Sequence, residues 1–118
     1  MIYTSATFAL ALLEIIVNAT GTKIPPDVVY APLDIPDDLR IDVLEVSALP
    51  ANWFTYPAPP ECQQAGDAWI ARGQTVAFAV PSAIVRIENN VLLNPAHRDF
   101  ARIRIGRIEP MPVDQRLT

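Results

Sequence analysis

The sequence predicts an α+β fold with few helices and a mixed or antiparallel sheet. Segments of strand-like composition outnumber helical ones, and most connections between them are too short for repeated βαβ crossovers. Proline makes up 12 of the 118 residues, about twice the average of roughly 5%, and clusters at 25–36, 50–60 and 110–112. Because 51% of the residues are hydrophobic, we expect one globular domain over residues 1–118.

The first predicted elements are a strand that ends at 2–4 and a helix over 6–19. Ser5 is a suitable N-cap for this helix, and Gly21 is a suitable residue to end it. The segment 8–17 reads FALALLEIIV, and nine of its ten residues are apolar. A helix that is apolar nearly all round is expected to be buried.

Glu14 is the charged exception in that segment. An unpaired buried charge costs several kcal/mol, so the carboxylate either reaches water, has a partner such as an arginine, or faces a pocket. The i±3 and i±4 spacing places four residues on its face of the helix: Leu10, Ala11, Val17 and Asn18.

The rest of the chain is predicted to alternate strands with turns. Val, Ile and aromatic runs indicate strands, whereas Gly, Pro and Asn mark their limits. The predicted elements are strands at 28–35 and 41–46, a turn at 49–53, a proline-rich loop at 55–62, a helix over 65–72 ended by Gly73, a strand at 75–80 extended after Pro81 by 83–87, a turn at Asn94-Pro95, and a half-buried strand at 102–108.

Composition excludes several classes of protein. The net charge of −4 argues against a non-specific nucleic-acid binder. The single cysteine, Cys62, excludes an internal disulfide and fits a reducing compartment, and the single histidine, His97, excludes a multi-histidine metal site. Segment 8–17 is far shorter than the roughly 20 apolar residues that span a bilayer. We expect a cytoplasmic protein that binds neither membrane nor metal.

Six fragments, in this order along the chain, resemble the RES-domain family. They are IYTSATFALALLE at 2–14, LPANW at 49–53, GDAWI at 66–70, VPSAIV at 80–85, NNVLLNPAH at 89–97 and VDQRL at 113–117.

The resemblance implies a fold similar to that of ADP-ribosyltransferases and a toxin of a toxin–antitoxin pair. Such proteins consume NAD as a substrate rather than as a cofactor. They cleave the nicotinamide–ribose bond by phosphorolysis or hydrolysis, or in some members transfer ADP-ribose to a protein. The implied partner is a helix-turn-helix antitoxin that blocks the active site, and such pairs often form larger assemblies.

By motif position, the resemblance makes Glu14 the family glutamate and Ser82 the family serine. Tyr3 matches the tyrosine that helps to hold nicotinamide, and Asn90 matches the asparagine after the serine strand. The family arginine lies in a Gly-Arg-Trp-like segment before the first matching strand, and the present chain begins at Met1. The sequence therefore resembles a RES domain without the N-terminal segment, in which a strand ending at Tyr3 would present an open edge and favour self-association.

Cleavage of NAD would use the side chains of Glu14, Tyr3 and Ser82 in different ways. Cleavage of the glycosidic bond builds positive charge on the ribose, which a preorganised carboxylate such as Glu14 stabilises. Tyr3 can stack on a cationic ring, although a tyrosine at a strand end is more often structural. The Ser82 hydroxyl can bind phosphate or ribose oxygens, although a serine there more often caps a turn.

The C-terminal fifth of the chain is locally basic. One of its arginines could compensate for the missing family arginine through bidentate bonds to pyrophosphate, although alternate arginines usually form a solvated face. These arginines are Arg98, Arg102, Arg104, Arg107 and Arg116. A catalytically impaired domain that only binds an antitoxin remains the alternative to an enzyme.

Overall fold

The structure is a computed structural model that describes residues 1–19 and 23–118. In this part of the chain it has an α+β architecture, which confirms the predicted class, with two α-helices, α1 (Phe8–Asn18) and α2 (Pro60–Arg72). The strands are β1 (Ile2–Ser5), β2 (Val29–Tyr30), β3 (Leu33–Asp34), β4 (Ile41–Val43), β5 (Ala77–Pro81), β6 (Asn89–Leu93), β7 (Arg104–Ile105) and β8 (Glu109–Pro110).

The central sheet is mixed, as predicted, and has the order β1-β6-β5-β4. β6 is antiparallel to both of its neighbours, whereas β4 and β5 run parallel. Parallel neighbours need a crossover of a dozen residues or more, and α2 supplies it. The short pairs β2–β8 and β3–β7 are two separate antiparallel ribbons.

The two faces of the central sheet are covered differently. Residues opposite one another on neighbouring strands share a face. Phe78 and Leu92 are such a pair, and they pack with Trp69 of α2. The other face carries Ala77 and Leu93, which belong to a core cluster that also contains Leu39, Val76 and Ile103.

Helix α1 exists as predicted, but it starts later and is less buried than expected. Its N-cap is Thr7 instead of Ser5, because the Thr7 hydroxyl accepts the Leu10 N–H at 3.1 Å. Gly21, the predicted end, lies outside the described residues. The prediction that the helix is buried is wrong: Leu10 is its one fully buried residue, and Leu13 and Val17 are exposed. The other residues of α1 are half-buried or exposed.

Helix α2 ends where predicted and begins five residues earlier. Gly73 follows the helix at φ 61°, the left-handed conformation that glycine adopts without steric cost. The start at Pro60, inside the predicted loop 55–62, is allowed because proline in the first turn lacks only an N–H that would have no helical acceptor.

Strand β5 confirms the prediction that the apolar run stops at Pro81. The predicted extension at 83–87 is wrong, because these residues form a turn. Strand β6 follows this turn and was not predicted. The predicted turn at Asn94-Pro95 is confirmed.

Two longer predicted strands are wrong in extent. Segment 28–35 divides into β2 and β3 around Pro32, which has no N–H to donate to a ladder. Segment 102–108 keeps only the two residues of β7, and Ile105 and Ile108 are exposed instead of half-buried. Segment 41–46 is a strand over Ile41–Val43 and then turns into a 3₁₀ helix at Val46–Ala48.

Neither helix within residues 1–19 and 23–118 has the length and apolar content required to cross a bilayer. Over the same ranges, no three His, Cys, Asp or Glu side chains lie close enough together to hold a metal ion.

Candidate active site

Three connections lie at one edge of the central sheet, the edge formed by the ends of its strands. The pairing directions place the carboxyl ends of β1, β4 and β5 at this edge, together with the start of β6. The connections that leave it are 6–7, which enters α1, 44–59, which leads to α2, and the turn 82–88. Ligands of sheets with parallel strands often bind beyond the carboxyl ends of the strands, so this edge is the candidate site.

Asn90 is the centre of a polar network on this part of the sheet. Its side-chain nitrogen donates to Tyr3 Oη at 2.6 Å and to Glu14 Oε1 at 3.0 Å. Its side-chain oxygen accepts a hydrogen bond from Ser5 Oγ at 3.0 Å. Asn90 is 1% exposed. The three hydrogen bonds satisfy both amide hydrogens and the oxygen of this buried side chain, as buried polar groups require. The structure therefore brings together three of the four predicted site residues.

Glu14 is half-buried on α1. Within the described residues it forms no ion pair with a lysine, arginine or histidine, so the alternative of a salt-bridged helix glutamate is wrong. A neutral amide holds the carboxylate instead, which leaves its negative charge without a described counterion. Its catalytic role stays a prediction.

Tyr3 lies beside this carboxylate at the sheet edge. Desolvation of the phenol and then the negative charge of Glu14 raise the pKa of Tyr3 to about 12, although the hydrogen bond from Asn90 acts in the opposite direction. The phenol is therefore neutral at physiological pH. The residue as a whole is 60% exposed, so a ligand can reach the ring.

Ser82 does not join the network of Asn90. It is fully buried, and its hydroxyl accepts the N–H groups of Ile84 at 3.1 Å and Val85 at 3.2 Å. Its own N–H donates to the Glu88 carbonyl at 2.9 Å. These bonds give Ser82 the turn-capping role that the sequence left open, and contact with substrate stays a prediction.

Sequence reasoning missed two hydroxyl groups of this region. Ser5 lies two residues after Tyr3, so the strand periodicity of two could have placed it on the same face. Thr7 donates to Glu88 Oε1 at 2.7 Å while it caps α1. This bond ties the start of the helix to the turn 82–88, and no local pattern indicates it.

The single histidine, the single cysteine and Arg102 do not belong to the Asn90 network. His97 Nδ1 accepts the Asp99 N–H at 3.0 Å and caps the 3₁₀ helix Arg98–Arg102. Burial raises the pKa of the Cys62 thiol, which disfavours the thiolate that a cysteine nucleophile needs. Arg102 donates from one nitrogen, Nη2, to both carboxylate oxygens of Asp38, at 2.7 and 2.6 Å.

The chain is similar in sequence to proteins of one known family over most of its length. The sequence pattern of the RES domain matches residues 1–114. A protein named "Toxin Res" from Photorhabdus laumondii is 36% identical over 100 residues, which cover 84% of this chain and 63% of that protein. A second "Toxin Res", from Yersinia enterocolitica, is 32% identical over 93% of this chain and 71% of its own length. The "Prs ADP-ribosylating toxin" of Sphingobium sp. is 29% identical over 99% of this chain and 74% of its own length. The chain thus spans about two thirds to three quarters of the relatives that it matches.

Proposed function

This chain belongs to the RES domain family, and from that premise we propose that it is the toxin of a toxin–antitoxin pair that cleaves NAD between nicotinamide and ribose. One observation carries the proposal: the Glu14 carboxylate is held at 3.0 Å by the buried amide of Asn90, which also binds Tyr3. The α+β, ADP-ribosyltransferase-like fold is consistent with this chemistry. NAD is the substrate, and the action is cytoplasmic, where the NAD pool lies.

Glu14 acts on the developing cation. When the bond from ribose C1′ to the pyridinium nitrogen breaks, its electron pair goes to the nitrogen, and nicotinamide leaves neutral. The ribose gains positive charge as an oxocarbenium-like transition state. A carboxylate already fixed in place stabilises that charge without reorganising at the moment of reaction.

Asn90 and Tyr3 position the reacting groups. Asn90 fixes one carboxylate oxygen of Glu14, so the charge stays at a defined place. Because Tyr3 Oη accepts the hydrogen bond from Asn90, its own hydrogen is free to donate, and the exposed ring can stack on nicotinamide. Ser82 contributes by shaping the turn beside them.

The acceptor of ADP-ribose is phosphate, water or a protein side chain, each of which attacks the same C1′ atom. With water, a hydroxyl joins C1′ and one proton is released to solvent. With a protein acceptor the product is an ADP-ribosylated partner, the reaction that the name of the Sphingobium relative describes. Incubation with NAD, with and without phosphate and with cell extract, separates these products by mass.

The test of the catalytic assignment compares Glu14→Gln with Glu45→Gln, an exposed glutamate outside the network. We expect Glu14→Gln to lower the rate of nicotinamide release about 10²–10³-fold, the size of effect seen when one transition-state contact is lost. Glu45→Gln should leave it unchanged. Equal rates for wild type and Glu14→Gln would overturn the assignment, and no release by the wild type would overturn the enzyme function.

A second candidate function is binding of a helix-turn-helix antitoxin without turnover. The exposed apolar side chains on α1 favour it: Phe8, Leu13 and Val17. Calorimetry distinguishes the two functions, because a chain that binds antitoxin tightly and shows no heat with millimolar NAD is the binding domain alone.

A further inference from the structure

We propose that Arg86 is the group that binds the pyrophosphate of the dinucleotide, held ready on the ring of Phe54. The inference deepens the proposed function and rests on it. Arg86 lies in the turn 82–88, four residues before Asn90, and therefore at the same edge of the sheet as the Asn90 network.

The turn that carries Arg86 is fixed at several points. Ser82 binds the N–H groups of Ile84 and Val85 with its hydroxyl, and the Glu88 N–H donates to the Val85 carbonyl at 2.9 Å. The Glu88 carboxylate accepts from Thr7 at the start of α1. The backbone at Arg86 is thus anchored to the helix that carries Glu14.

The guanidinium of Arg86 rests on an aromatic platform. Its central carbon lies 3.5 Å from the ring centroid of Phe54, in the connection 44–59 at the same edge. Phe54 is in turn set by its neighbour Trp53, which is buried and meets it edge to face at 5.8 Å. An arginine that stacks on a ring keeps its in-plane N–H groups free for an anion.

The other described arginines are less suited to this role. Four of them face a carboxylate: Arg40, Arg102, Arg107 and Arg116. Arg72 ends α2 and Arg98 follows β6, which places both at the opposite edge of the sheet. Arg104 lies in β7, which pairs with β3, and Leu33 of β3 packs against the core cluster that contains Ala77 and Leu93.

A cation at this edge favours the binding of an anion there. Glu14 and Glu88 both place carboxylates there, and the chain as a whole carries −4. A pyrophosphate brings further negative charge, which these carboxylates repel. Arg86 forms no ion pair within the described residues, so it can bind the phosphate oxygens in bidentate fashion.

The experiment measures binding of ADP and of nicotinamide to the whole chain by calorimetry. We expect Arg86→Ala to raise the Kd for ADP about 10–100-fold, the loss expected for a charge-assisted hydrogen-bond pair, and Arg86→Lys to have an intermediate effect. Nicotinamide binding should not change. Arg72→Ala, which removes another exposed arginine, is the matched control and should leave both unchanged, while circular dichroism verifies the fold of each variant.

Two results would overturn the role of Arg86: a Kd for ADP that is the same in wild type and Arg86→Ala, or no binding of ADP to the wild type at millimolar concentration. The proposed function fails separately. If ADP binds through Arg86 and the wild type releases no nicotinamide, the enzyme function is wrong and the phosphate site stands. If nicotinamide is released and Arg86→Ala changes neither KM nor Kd, only the role of Arg86 is wrong.

Discussion

The two helices contact the same face of the central sheet in opposite ways. α2 places Trp69, 1% exposed, on Phe78 with ring centroids 5.3 Å apart, and the indole N–H donates to Thr75 at 2.9 Å. α1 buries only Leu10 fully and is bound to the sheet by the hydrogen bond between Glu14 and Asn90, while Phe8, Leu13 and Val17 are exposed.

The two contacts are expected to contribute differently to the stability of the domain. Burying an aromatic side chain in a packed core contributes several kcal/mol, so α2 anchors the domain. A carboxylate at the sheet contributes little to stability and costs desolvation. The polar contact of α1 is therefore expected to add less to the stability of the domain than the aromatic contact of α2.

The strongest test of this contrast removes Trp69. We expect Trp69→Ala to lower the free energy of unfolding by about 3–5 kcal/mol, because the variant loses both the stacking on Phe78 and the packing around Leu92. Leu13→Ala, on the outer side of α1, should change it by no more than about 0.5 kcal/mol. Urea unfolding followed by circular dichroism measures both. Equal losses in the two variants would contradict the division between the helices.

Removing the centre of the network should affect function more than stability. Asn90→Leu keeps a similar volume but leaves Ser5, Tyr3 and Glu14 without their partner, and we expect a loss of about 1–3 kcal/mol. Nicotinamide release should fall toward that of Glu14→Gln. Asn89→Leu, the exposed neighbour on β6, is the control. Full activity in a folded Asn90→Leu variant would show that the network does not position Glu14.

The smallest expected effect is a change of stability with pH. The folded-state pKa of Tyr3 is about 12, above its ordinary value of 10. The folded chain therefore holds this proton more tightly than the unfolded chain, and the contribution is complete below about pH 10 and lost as the pH rises through about 12. Tyrosinate absorbance of wild type minus that of Tyr3→Phe should show a single titration near 12. A difference titration near 10 would contradict the desolvation of this phenol.

Local sequence signals predicted the elements that depend on local chemistry. Gly73 ends α2 because its φ of 61° suits glycine, and Pro81 stops β5 because it has no N–H. Strand β6 escaped prediction because it begins with two asparagines, which are depleted in strands. A buried asparagine is tolerated in β6 because three side chains distant in sequence form hydrogen bonds with its amide. No local sequence pattern indicates these bonds.

The candidate site was predictable only in part. Spacing on the helix identified the face of Glu14, but its partner Asn90 lies 76 residues away, and only the resemblance to RES domains named both. The exposure of α1 was missed because apolar composition shows what a helix can bury, not what covers it. Arg86 went unnoticed because its significance depends on the meeting of two turns that are distant in sequence.

Because the Asn90 side chain uses both of its amide hydrogens and its oxygen in hydrogen bonds, few residues can replace it at position 90. Aspartate has no hydrogen to give Tyr3 or Glu14, serine cannot offer two donors together with a separate acceptor, and glutamine carries the same amide one carbon too far from the backbone. We therefore expect that a library randomised at positions 89 and 90, when selected for nicotinamide release, retains asparagine at position 90 and many residues at the exposed position 89.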